Sequence, residues 1–166
     1  KDLVVTAVLG DRLSLIFGAN GLPVGSLNYD AGVPIAEAVA TGDFDGDGIA
    51  ELVAGGSGAA SVMISTLNDS PATRTRALVP QLRVDTPQPP VNLVDGDFNG
   101  DGKLDLAVAM GGGVTIYANR SDSAGLRFEP IPSTGFLIPA VGAYEIAVGD
   151  LDGDRHPVGR AVRVCD

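Results

Sequence analysis

The stretch Asp43-Phe44-Asp45-Gly46-Asp47-Gly48-Ile49-Ala50-Glu51 packs four carboxylates into nine residues. Such a cluster repels itself unless a cation neutralises it. The acids fall at positions 1, 3, 5 and 9 of the stretch, with Gly48 at position 6 to turn the chain around an ion. Oxygen donors at this spacing suit a hard cation. Calcium takes six to eight oxygens, whereas magnesium prefers fewer carboxylates and keeps its waters. The expected ligands are the side chains of Asp43, Asp45, Asp47 and Glu51, with the carbonyl of Ile49 at position 7. An EF-hand needs a bidentate acid at position 12, and here that residue is Ala54. The loop runs instead into Leu52-Val53-Ala54, a short apolar run that ends in glycine and reads as a strand. The loop therefore joins two strands.

Two further stretches carry the pattern. Asp97-Phe98-Asn99-Gly100-Asp101-Gly102-Lys103-Leu104-Asp105 offers Asp97, Asn99, Asp101, Asp105 and the Lys103 carbonyl, with Val108 at position 12. Asp150-Leu151-Asp152-Gly153-Asp154-Arg155 keeps Asp150, Asp152 and Asp154. Arg155 stands there in place of the glycine, and Val158 in place of the final acid. Two calcium sites are expected, and the third loop is a degenerate candidate. These loops hold ten of the 21 acids.

The loops begin 54 and 53 residues apart, and their surroundings repeat with them. Ahead of the loops stand Val39-Ala40-Thr41-Gly42, Leu93-Val94-Asp95-Gly96 and Ile146-Ala147-Val148-Gly149. Behind the first two come an apolar strand, a glycine turn, and Ser61-Val62-Met63-Ile64 or Val114-Thr115-Ile116-Tyr117. Weaker runs close each unit, at Arg76-Ala77-Leu78-Val79 and Leu126-Arg127-Phe128-Glu129. Near the N-terminus, Asp2-Leu3-Val4-Val5 and Leu13-Ser14-Leu15-Ile16-Phe17 match the second half of a unit, with Asp2 at loop position 9. A repeat of about 50 residues with about four strands points to a propeller blade. The expected frame is a partial blade over 1–34, blades over 35–86 and 87–138, and an incomplete blade over 139–166. No strand pattern is read after the third loop, in the basic run 157–166.

Composition agrees with a mainly β chain. Of 166 residues 45% are hydrophobic, 5% aromatic and 19% charged, and 23 are glycine. That is too much glycine for a helical bundle and enough apolar content for a core. The net charge of −10 argues against nucleic acid, which needs clustered Lys and Arg. No apolar run approaches the ~18 residues of a membrane-spanning helix, so no membrane insertion is expected.

The loops and their flanking strands resemble the FG-GAP/VCBS repeat family of calcium-binding β-propellers, found in integrin α-subunits and in many secreted proteins. The resemblance implies calcium held in a turn between two strands of a blade, and a secreted or cell-surface setting. Propellers of this family close with about seven blades, and this chain holds about three units. A segment of a larger propeller is the expectation, completed by further blades of the same protein or by copies of itself. The family's activities are diverse. The reading taken is non-catalytic binding of an extracellular carbohydrate or protein. Its alternatives are the propeller part of a secreted carbohydrate-active enzyme such as a polysaccharide lyase, and a self-assembling structural subunit.

Residues for catalysis are sparse. His156 is the only histidine and Cys165 the only cysteine. Gly111-Gly112-Gly113 reads as a hairpin turn and not as a phosphate loop, because no Gly-Lys-[Ser/Thr] follows it. Phe44, Phe98 and Leu151, each between the first two ligands of a loop, are expected to pack between blades. Asn68-Asp69-Ser70 and Asn119-Arg120-Ser121 match the glycosylation tripeptide and are expected in turns.

Overall fold

A computed structural model describes residues 3–6, 12–19, 22–70, 75–131, 138–139, 145–149 and 161–165. These residues contain strands and no helix. In chain order the strands are β1 (Leu3–Thr6), β2 (Arg12–Ala19), β3 (Leu22–Asp30), β4 (Ala36–Gly42), β5 (Glu51–Gly56), β6 (Ala59–Ser70) and β7 (Thr75–Asp85). They continue with β8 (Pro90–Gly96), β9 (Asp105–Met110), β10 (Gly113–Asn119), β11 (Phe128–Pro130), β12 (Ile138–Pro139), β13 (Glu145–Gly149) and β14 (Ala161–Cys165).

They form antiparallel sheets of sequential strands. The second sheet has the order β4-β5-β6-β7 and the third the order β8-β9-β10-β11. The first sheet is β1-β2-β3, and β13 pairs with β14. Strand β1 lies against β4, β4 against β8, and β8 against β13. The sheets thus succeed one another side by side through their leading strands, which is how propeller blades are arranged.

The core explains the run of apolar residues in the middle strands. Every residue of β5 and β9 is buried, because a blade is covered on both faces. Alternate side chains point to opposite neighbours. From β9, Leu106, Val108 and Met110 pack towards the second sheet with Val53, Val62, Ile64 and Phe44. Ala107 and Ala109 face the other way, against Ile146 and Phe98. From β5, Leu52 and Ala54 join Leu13 and Val33 on the side of the first sheet.

Several expectations need correction. The run after the third loop does form a strand. β14 pairs with β13 in the register Ile146↔Val164 and Val148↔Val162, and the alternation of Val162, Arg163 and Val164 is the period-2 signal that was missed. β3 was not anticipated, because Pro23 and Gly25 read as breakers. It is an edge strand, where a missing N–H costs little. The outer strand of the third sheet is divided, since β11 and β12 both pair with β10. Neither glycosylation tripeptide starts in a turn. Asn68 lies in β6 and Asn119 closes β10. Asn119 is 1% exposed, so its amide has no room for a glycan in the folded chain.

Candidate metal centre

Each aspartate loop crosses from the first to the second strand of its sheet, from β4 to β5 and from β8 to β9. The loops fold around their own first aspartate. Asp43 accepts the N–H of Gly46 on Oδ1 (2.8 Å) and that of Gly48 on Oδ2 (3.0 Å). Asp97 does the same with Gly100 (2.7 Å) and Gly102 (2.8 Å). The third and fifth positions each take the N–H two residues on. Asp45 accepts from Asp47 and Asp47 from Ile49, and in the second loop Asn99 accepts from Asp101 and Asp101 from Lys103. Gly48 and Gly102 sit at φ +88° and +85°, as position 6 requires. Successive N–H groups are thus spent on the backs of the carboxylates. An ionised carboxylate has about four acceptor sites, so oxygen lone pairs remain for a cation.

The ninth position closes each loop from beneath. Glu51 is 1% exposed and accepts the Phe44 N–H on Oε2 at 2.9 Å. Its other oxygen, Oε1, is buried without a hydrogen-bond partner. One carboxylate oxygen from each of Asp43, Asp45 and Glu51 lies within 4.8 Å of the other two. Beside Glu51 lies a cavity of about 110 Å³ lined by Leu15, Phe17, Leu52, Leu67 and Leu78. Burial pushes the Glu51 carboxyl above the usual carboxylate range, the Phe44 N–H opposes this, and the charges of Asp45, Asp47 and Asp43 add to it. A buried, unpartnered carboxylate oxygen among like charges is the arrangement that a hard cation would satisfy, and the donor set fits calcium.

In the second loop Asp105 is fully buried and both of its oxygens have protein donors. Oδ2 takes the Phe98 N–H at 3.0 Å, and Oδ1 takes the Asn119 N–H at 2.8 Å and Asn99 Nδ2 at 3.4 Å. Its carboxyl is also pushed up, first by burial and then by Asp101 and Asp97, against the hydrogen bonds from Asn119 and Phe98. Ile49 and Lys103 occupy the seventh positions. The Ile49 side chain is exposed, while Lys103 Nζ reaches back to the Ser121 carbonyl at 2.6 Å. Asp150, Asp152, Asp154 and Leu151 lie outside the described residues.

Phe44 and Phe98 do pack between sheets. Phe44 is 2% exposed and meets Phe128 edge-on, with ring centroids 5.7 Å apart, and Phe98 rests on the Ala107–Ile146 cluster. Sequence reasoning missed Asn119 as part of the site. Its only signal was an amide side chain at the end of the strand-like run Val114–Ala118.

Four-stranded antiparallel sheets set side by side, each with an aspartate loop between its first two strands, define blades of a β-propeller. Residues 36–63 match the FG-GAP repeat, and residues 97–157 match an FG-GAP-like repeat. The chain belongs to the FG-GAP repeat family. No curated protein matches it.

Proposed function

We propose that this chain is a calcium-stabilised propeller module of a secreted or cell-surface protein, and that it acts by non-catalytic binding of an extracellular carbohydrate or protein. The observation that carries the calcium reading is Glu51 Oε1, a buried carboxylate oxygen without a partner beside Asp43 and Asp45. Asp43, Asp45, Asp47, Glu51 and the Ile49 carbonyl would hold one ion. Asp97, Asn99, Asp101, Asp105 and the Lys103 carbonyl would hold a second. Bound calcium supplies positive charge that offsets the mutual repulsion of the loop carboxylates. The chain's own residues do the rest. Their N–H groups orient the aspartates, and the position-9 acid anchors the loop to the strand that follows.

The role is structural because the first loop offers five ligand groups, or six oxygens with Glu51 bidentate, and leaves room for only one or two waters. Support for a separate ligand surface comes from the opposite end of the blade. There the β9–β10 turn and the segment before β8 enclose a cavity of about 130 Å³ lined by Pro87, Gln88, Met110 and Thr115. Thr115 Oγ1 is buried without a partner. Calorimetric titration with calcium tests the metal reading. A glycan array probed with and without chelator tests the carbohydrate arm, where retained signal after Thr115→Val and Gln88→Ala would count against this end of the blade.

A further inference from the structure

Asn119 spends its main-chain N–H and its side-chain NH2 group on the two loops. Its N–H donates to Asp105 Oδ1 at 2.8 Å. Its Nδ2 donates to the Leu104 carbonyl at 2.9 Å and to the Phe44 carbonyl at 2.8 Å. Its Oδ1 accepts the Ser121 N–H at 2.9 Å. Asp105 and Leu104 belong to the second loop. Phe44 belongs to the first, in the neighbouring sheet, between the candidate ligands Asp43 and Asp45. The contact is tight, because a Cβ on Gly42 would stand 2.7 Å from Leu104 Cδ1. Both loops line one cleft of about 170 Å³, with Asp43 and Asp45 on one side and Lys103 and Ser121 on the other.

We propose that Asn119 couples the two loops, so that a cation bound in one strengthens binding in the other. The proposal rests on the calcium reading above. Filling the first loop fixes the Phe44 backbone, since Asp43, Asp45 and the acceptor of its N–H, Glu51, are all ligands. A fixed Phe44 carbonyl holds the Asn119 amide, and Asn119 in turn holds Asp105 and Leu104. Order imposed at one loop then need not be imposed again at the next, and the coupling is reciprocal. The device is not a necessity of the repeat. Leu52 pairs with Ser65 and Leu106 with Tyr117, so the position matching Asn119 in the second sheet is Leu67, which has no amide to share.

Calcium titration calorimetry on the parent chain, Asp43→Ala, Asp97→Ala, Asn119→Ala and the Asp43→Ala/Asn119→Ala pair tests this. Asp43→Ala should weaken the remaining second site by about five-fold or more, and Asp97→Ala should weaken the first by the same factor. In the Asn119→Ala background, Asp43→Ala should leave the second site unchanged. A purely structural Asn119 would lower both affinities and preserve their dependence, which overturns the proposal. If Asn119→Ala does not fold, amide exchange of Asn119 in Asp97→Ala serves instead. Calcium, then held by the first loop alone, should still slow it markedly, and an exchange rate unchanged by calcium there overturns the coupling. Two ions binding independently overturn the coupling alone. No calcium binding by the parent overturns the coupling and the metal reading together.

Discussion

The side-chain amide of Asn119 donates a 2.8 Å hydrogen bond to the main-chain carbonyl of Phe44, a residue 75 positions earlier in the chain. This bond ties the second strand pair of one blade to the aspartate loop of the blade before it. Phe44 is held from three directions, by Asn119 at its carbonyl, by Glu51 at its N–H and by Phe128 at its ring. The loop that presents Asp43 and Asp45 is therefore built into the junction between blades.

Phe44→Ala should be costly for that reason. A buried Phe truncated to Ala loses about 3–5 kcal/mol, and urea denaturation of the variant should show a loss in that range. A loss below about 1 kcal/mol would mean that the ring is not part of the inter-blade core.

Removing the first ligand of each loop should remove one ion. Asp43→Ala and Asp97→Ala should each lower the bound calcium by one equivalent in elemental analysis. Asp150→Ala should change the count less, because its loop has Val158 at the ninth position. Three equal, tight sites in the parent would show the third loop to be intact.

Glu51→Gln should act in opposite directions with and without metal. Without metal it removes a buried charge set among Asp43, Asp45 and Asp47, so the melting midpoint should rise by about 2–4 °C, the shift that about 1 kcal/mol gives at this size. With millimolar calcium the midpoint should fall below that of the parent. The same sign in both conditions would contradict the role given to Glu51.

The pH dependence should also reverse with metal. Burial raises the carboxyls of Glu51, Asp105 and Asp95 above their ordinary values. In that window the native chain keeps protons that the unfolded chain has lost, so metal-free stability falls as pH rises through it. In chelator the melting midpoint should therefore rise on acidification from neutral pH towards about pH 5. In calcium it should fall, because protons compete with the ion for the same oxygens. Parallel profiles in the two conditions would refute the linkage.

The parts of the fold legible in the sequence were those where local signals agree. The two aspartate loops carry their glycines at the turning positions, and after their leading acids β5 and β9 are apolar runs that end at glycine. The outer strands were harder to read. β7 contains Pro80, and a bulge between the pairs Ile64↔Leu82 and Ser65↔Pro80 interrupts its register. β3 hides behind Pro23 and Gly25 for the same reason. Asn119 was invisible as a loop partner because its role depends on a residue in another blade, and no local spacing encodes that contact.

On the proposal above, the two described aspartate loops bind calcium and the fold depends on it. Thermal melting with excess chelator and with millimolar calcium addresses it most directly. Binding to the native state alone adds about 2.7 kcal/mol per site when calcium stands at a hundred times Kd. The midpoint should be several degrees higher in calcium, with the rise reduced in Asp43→Ala and reduced again when Asp97→Ala is added. A midpoint that is the same in chelator and in calcium would contradict it.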